Sequence, residues 1–240
     1  MSPVIKNWDY NNWLSSKKYI KSFNNFLCKE AKLDQNSKIL DIGCGRGKIL
    51  GNLSSRLILK NKPVGIDITN HKDKDRRMNF KKKDAIIYLK NCKDKFDLIL
   101  IKQTIHLFKF IEIKKLLKLA KKNLNNNGKI FILNLETYKN EIPTFHLMKQ
   151  NLSKSLKRDK KIIQYITKYQ ANIVKKKFYF NVKISKKKYL KMIKQKYISI
   201  LLNLSPKEIT QGIVEIDKKF KNQIFFKDRL KCLIINKKSK

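Results

Sequence analysis

Apolar positions along this chain follow two rhythms, one helical and one extended, and the two take turns. Behind Ser15 or Ser16, either of which can cap a helix, Tyr19, Ile20, Phe23, Phe26 and Leu27 share one helical face. Ile39, Leu40 and Ile42 make a short apolar run suited to a strand buried on both faces, and Ile49, Leu50, Leu53 and Leu57 return to helical spacing. Residues 63–68 form a second short strand ending in an acid, and residues 78–82 a third. Ile86, Ile87 and Leu89 follow as a short helix behind Asp84 and Ala85. Residues 95–101 are the strongest strand signal in the chain. Ile111, Ile113, Leu116, Leu117, Ala120 and Leu124 make an amphipathic helix closed by Asn125-Asn126-Asn127-Gly128, and residues 129–135 are the fifth strand. Alternating strands and helices with short connections predict a mostly parallel sheet covered by helices on both faces.

After Glu136 the rhythm changes. Pro143 opens a helical stretch with Phe145, Met148, Leu152 and Leu156 in step, followed by Ile162, Ile163 and Ile166, with the basic residues 154–161 between them. Over residues 173–184, Val174, Phe178, Phe180, Val182 and Ile184 point one way. Lys175, Lys177, Tyr179, Asn181 and Lys183 point the other, which predicts a half-buried strand with a basic, aromatic-bearing outer face. Ser185 caps a further helix, and Ser205-Pro206-Lys207-Glu208 is a capping box with proline at the first helical position. Residues 230–235 make the last strand. With no internal repeat and no linker, residues 1–240 read as one domain.

Composition changes the picture in one respect. The chain of 240 residues is long enough for one sizeable core without disulfides or metals. Cys28, Cys44, Cys92 and Cys232 are widely separated and include no C-x-x-C pair, so neither a zinc site nor a disulfide framework is expected. That fits a reducing compartment. No leader pattern is present, and no apolar run approaches the roughly 20 residues that span a bilayer, so a cytoplasmic protein is expected. The charge stands apart: 58 Lys and Arg against 18 Asp and Glu give +40. Such a field attracts polyanions and acidic small molecules. The lysines are nevertheless spread along the whole chain, so a solvated surface and a functional basic face both stay open.

The chemistry is concentrated between the first strand and the helix behind it, in Gly43-Cys44-Gly45-Arg46-Gly47. Three glycines in five residues let the backbone turn sharply and approach a ligand, and the helix start behind them is expected to offer N–H groups to an anion. A dinucleotide fingerprint needs its third glycine where Lys48 stands. The pattern is instead D-x-G-x-G-x-G, and Asp41 ahead of the first glycine repels a pyrophosphate but suits a ligand carrying an ammonium and a sulfonium. Asp67, twenty residues past Gly47, lies where an acid at the end of a second strand meets a ribose.

This set closely resembles the class I S-adenosylmethionine (SAM) dependent methyltransferases. The resemblance implies an α/β Rossmann-like sheet, mostly parallel with the last strand antiparallel, flanked by helices and carrying a helical lid after the fifth strand. It divides the domain into an N-terminal helical cap (1–36), a SAM-binding core (37–137), a lid and substrate region (138–200) and a closing helix and strand (201–236). It implies SAM as cofactor, held by Asp41, Gly43, Cys44, Gly45 and Gly47, by Asp67 and Ile68 at the ribose, by Asp84 and Ala85 at the adenine, and by Lys102 and Gln103 at the reactive end. Asp84 is equally readable as a helix N-cap. Trp8, Tyr10, Trp13 and Tyr138 are the candidate acceptor contacts, with simple packing the alternative for the aromatics.

The segment Lys102-Gln103-Thr104-Ile105-His106 is informative by what it lacks. It carries no [Asp/Asn]-Pro-Pro-aromatic run, no Pro-Cys and no acid ending the fourth strand. Several nucleic-acid, catechol and ribose chemistries of the family are thereby disfavoured. His106 is the one candidate acid or base, since imidazole titrates near neutral pH, and no metal-ligand spacing connects it to His71 or His146. The leading expectation is methyl transfer to a small-molecule acceptor, anionic or lipid-like, a carboxylate, hydroxyl or amine, by proximity and orientation. The second is an RNA methyltransferase that binds phosphates through its lysine faces. A cofactor-binding protein without activity is the third. The segment of residues 71–77 is highly charged and is expected at the surface, with no chemistry assigned.

Overall fold

The computed structural model describes residues 12–237. Seven strands form one sheet: β1 (Ile39–Ile42), β2 (Val64–Asp67), β3 (Asn79–Lys82), β4 (Phe96–Lys102), β5 (Leu124–Leu135), β6 (Ile173–Ser185) and β7 (Gln223–Asn236). Their order across the sheet is β3-β2-β1-β4-β5-β7-β6. The first five run parallel, and β7 lies antiparallel between β5 and β6, as expected for the last strand. The chain builds outward from β1 to β2 and β3 and then crosses to β4 on the other side of β1, which makes a switch point at β1, the place where open α/β sheets bind ligands at their carboxyl ends.

Helices cover both faces. On one face lie α1 (Lys17–Ala31), α2 (Lys48–Leu57), α6 (Lys186–Lys194) and α7 (Pro206–Lys219), whose Phe23, Leu27, Leu50, Leu53, Tyr189, Ile193 and Ile216 share a core with Leu98, Leu100, Phe131 and Leu133. On the other lie α3 (Ala85–Asn91), α4 (Phe110–Lys122) and the end of α5 (His146–Tyr169), joined to Leu40, Ile42, Ile99, Ile101 and Ile130. Each fully buried leucine or isoleucine contributes about 1.5–3 kcal/mol relative to exposure, and β1 and β4 are buried on both faces. Ser16 caps α1 through the Tyr19 N–H, and Ser205 with Glu208 closes the capping box of α7.

Several local expectations change. Pro143 does not open a helix; α5 begins at His146 and runs unbroken for 24 residues, because no glycine or proline interrupts the basic stretch between its two apolar segments. The strand β5 starts at Leu124, with its register against β4 shifting between Phe96 and Leu98, so the three asparagines are irregular strand and not only a turn. In β6 Val174 is exposed, since α1 covers only the half of the strand carrying Phe178 and Phe180. One helix, α5, follows the fifth strand, and two more, α6 and α7, stand between β6 and β7. Among the described residues no helix is long and apolar enough to cross a membrane.

Candidate active site

Gly43, Gly45 and Gly47 all adopt left-handed backbone, with φ of 74°, 56° and 70°. A side chain is excluded for a second reason at two of them. A Cβ on Gly43 would come within 2.2 Å of Thr104 Oγ1, and one on Gly47 within 2.1 Å of Met78 Cε. The loop is therefore pressed between the end of β4 and the start of β3. Its N–H groups are already used: Gly43 and Cys44 donate to the Ile66 carbonyl, Gly45 to Asp67 Oδ2 and Gly47 to the Cys44 carbonyl. These bonds concern the loop itself; the N–H groups of the first turn of α2, beginning at Lys48, are a separate set. The loop spends these four donors on β2 and on itself, and beside it stands the acidic end of β1 and β2.

Two acids stand there. Asp41 is buried, and burial pushes its carboxyl up to about 7, with Lys102 pulling down and Asp67 adding to the rise. Asp67 accepts from Gly45 and Thr69 N–H groups at 3.0 and 2.8 Å, and His71 Nε2 lies 3.7 Å from its Oδ2. Burial opposes its ionisation, yet these partners outweigh burial and hold the carboxyl below its ordinary value. An ionised carboxylate has about four acceptor positions, so two N–H bonds leave capacity for ribose hydroxyls. Ile68 beside it is exposed. Asp84 is the N-cap of α3, taking the Ile86 and Ile87 N–H groups both on Oδ1, which leaves Oδ2 outside the cap; Ala85 behind it is buried. A ligand with hydroxyl donors and cationic centres suits this set of acceptors.

Residues 71–77 are not a plain surface segment. His71 and Asp75 are buried; Asp75 binds Arg77 and faces Lys48, and its carboxylate lies on Gly51 so closely that a Cβ there would meet Asp75 Cγ at 2.2 Å. A glycine in the middle of α2 is the one mark of that contact in the sequence.

At the end of β4, Lys102 turns to the α1 face. Its Nζ lies 5.5 Å from the ring centroids of both Tyr19 and Phe23, and its charge acts on Asp41 and Asp228. Gln103, left-handed at φ 52°, donates its N–H to the Leu133 carbonyl and turns the chain outward. His106 lies beyond, in a short 3-10 turn facing Arg158 of α5; burial and that cation push its imidazole down to about 4. It is neutral at pH 7 and weakly basic.

The candidate acceptor residues separate. Trp8 and Tyr10 lie outside the described residues. Trp13 is buried and donates its indole N–H to Asp228 Oδ2 at 3.0 Å. Tyr138 is exposed on the other side, lining a surface groove of about 110 Å³ with Glu136, Lys177, Tyr179 and Arg229. Side chains alternate along β7, so Asp228 and Arg229 face opposite sides of the sheet and carry Trp13 and Tyr138 apart. Asp228 carried no functional mark in the sequence, and Tyr19 and Tyr197 read only as packing positions of helices. An acid within an otherwise apolar strand alternation, between Phe226 and Leu230, was the available signal.

The sequence profile of a family described as a methyltransferase domain matches residues 33–197. The chain belongs to this methyltransferase family. S-adenosylmethionine is the methyl donor that membership implies, and the acids around the glycine loop fit it. No curated protein matches the chain. Among solved structures, the plantazolicin methyltransferase BpumL in complex with a monoazolic desmethylPZN analog and SAH is 19% identical, covering 97% of this chain and 88% of that one, with a TM-score of 0.53. A putative methyltransferase from Bacillus halodurans is 13% identical over 90% and 99%, at 0.54. A precorrin 8W decarboxylase from Methanobacterium thermoautotrophicum is 11% identical over 89% and 88%, at 0.52. These likenesses show the fold of the methyltransferase, and the third carries a different reaction's name on it.

Proposed function

We propose that this methyltransferase is a single domain that transfers the methyl group of SAM to a small-molecule or short-peptide acceptor. The observation that carries the reading is the glycine loop, four of whose donors are spent on β2 and on itself, with the acids Asp41 and Asp67 beside it. In this reading Asp41 faces the cationic amino acid portion, Gly43, Cys44, Gly45 and Gly47 form the floor, and Asp67 with Ile68 receives the ribose. Asp84 Oδ2 and Ala85 meet the adenine, and Lys102 and Gln103 border the reactive end. Bound there, SAM supplies an electrophilic methyl carbon. The protein's task is to align the acceptor and exclude water. His106 is too weak a base at about 4 to lead proton removal, and it borders Arg158 on the other face of the sheet. A cytoplasmic setting fits the four free cysteines.

Titration calorimetry with S-adenosylhomocysteine tests the first half; binding below about 100 μM is expected, and its absence from folded protein overturns the reading. Transfer of labelled methyl from SAM into a cell extract tests the second, with label expected in the small-molecule or peptide fraction. One observation favours RNA instead. Lys160 Nζ lies over the Tyr138 ring, the Arg229 guanidinium over Tyr179, and Lys177 lines the same groove, a stacking and phosphate-binding combination. Label in ribonuclease-sensitive polymer, lost steeply with added salt, is the outcome that selects it.

A further inference from the structure

Asp228 is buried at the carboxyl end of the sheet, 1% exposed, in a chain with few acids. Its Oδ2 is held by the Trp13 indole, while its Oδ1 has no hydrogen-bond partner. The Tyr19 hydroxyl, also buried, lies beside the same carboxylate without closing a hydrogen bond. Rings surround it. Tyr197 stands edge-on to Trp13 with centroids 5.5 Å apart, Phe226 at 5.0 Å, and Tyr189 ties Tyr197 through a 2.9 Å contact between hydroxyls. Burying a carboxylate with one oxygen unmatched is costly, and aromatic faces next to a carboxylate are the chemistry that receives an ammonium group. The protein already places one such group at the edge of this cluster: the Lys102 ammonium lies over the Tyr19 and Phe23 rings. Asp41 and Asp228 both lie in the field of that ammonium, and burial raises both carboxyls.

We propose that Asp228, walled by Trp13, Tyr19 and Tyr197, is the acceptor site, and that the acceptor is a primary or secondary amine. The inference rests on the methyl-transfer reading and narrows it. The amine arrives as an ammonium ion and yields one proton to Asp228 Oδ1. Its freed lone pair then forms the bond to the methyl carbon as the carbon–sulfur pair returns to sulfur, giving a methylated ammonium ion and S-adenosylhomocysteine. Asp228 afterwards releases its proton to solvent. Burial, which raises the Asp228 carboxyl, favours taking that proton. A carboxylate acceptor is repelled at the same place.

The test uses full-length protein with Trp8→Phe, leaving Trp13 as the one tryptophan reporter, saturated with S-adenosylhomocysteine and titrated with benzylamine and, separately, benzoate. Benzylamine is expected to change Trp13 emission saturably and benzoate not. Asp228→Asn keeps an oxygen for the indole and is expected to weaken benzylamine at least tenfold while S-adenosylhomocysteine affinity stays within twofold. In the labelled extract the product is expected to survive mild base, as N-methyl groups do and methyl esters do not. Base-labile label, saturable benzoate binding, or benzylamine binding unchanged in Asp228→Asn would each overturn the proposal. Loss of S-adenosylhomocysteine binding in the parent protein would instead remove the methyl-transfer reading beneath it. Should Asp228→Asn fail to fold, Tyr19→Phe removes the neighbouring hydroxyl, and an unchanged benzylamine affinity there counts against the site.

Discussion

Between Asp41 and Thr104 the proposed cofactor end of the sheet is made from near neighbours in sequence, whereas its proposed acceptor end joins Trp13 to Asp228 across 215 positions. The first end is set by backbone. Left-handed glycines, strand-end acids and a helix cap are local devices, each needing a particular residue at a particular place. The second end is set by side chains arriving from α1, β4, β7 and the segment after α6, and any one of them looks ordinary alone. On the proposed reading the difference teaches where specificity would reside: the cofactor would be met by a loop with fixed backbone demands, and the acceptor by side chains that meet only through packing.

That contrast can be broken in several ways. Trp13→Ala is expected to cost about 3–5 kcal/mol in urea unfolding, since it empties an aromatic site and leaves Asp228 without its donor. S-adenosylhomocysteine affinity of the folded protein should nevertheless stay within threefold. Gly43→Val should act oppositely, lowering that affinity by about a hundredfold. The left-handed backbone costs about 1–3 kcal/mol and the new side chain collides with Thr104. If both variants damage both properties equally, the two ends are one unit and the distinction fails.

Asp67→Asn is expected to weaken S-adenosylhomocysteine about tenfold by calorimetry, from the loss of charge-assisted bonds worth about 1.5–3 kcal/mol. The pH dependence of stability sharpens the comparison further. Asp41 rises from 3.8 unfolded to about 7 folded, so between those values the folded chain holds a proton that the unfolded chain releases. Stability therefore falls as pH rises through that window, and Asp41→Asn should flatten the slope in melting curves. Asp67 and Asp75 are lowered and act in the opposite sense only below about pH 4. Smallest of all, Tyr138→Ala on the opposite face should change methyl transfer less than twofold. A loss as large as that of Asp228→Asn would move the acceptor to the groove beside Arg229.

The element order and the parallel core were legible because hydrophobic period and glycine placement are local signals, while the antiparallel last strand was an implication of the family resemblance. So was the glycine loop with Asp41 and Asp67. The loop's hydrogen bonds were not, since the Ile66 carbonyl that takes two of its donors belongs to another strand. The burial of His71 and Asp75 was hidden for the same reason. A run of charges looks like surface until α2 is seen to leave room for a carboxylate at Gly51.

By itself the sequence determined the family and the cofactor chemistry, because positive φ and strand-end acids belong to specific residues in a short span. Only the tertiary structure decided which aromatics and which acid meet. Trp13 and Tyr138 were equivalent candidates in the chain, and the alternation of Asp228 and Arg229 along β7 places them on opposite faces of the sheet. Burial then converts Asp228 from one acid among 18 into a desolvated carboxylate, a change of environment that no residue letter records.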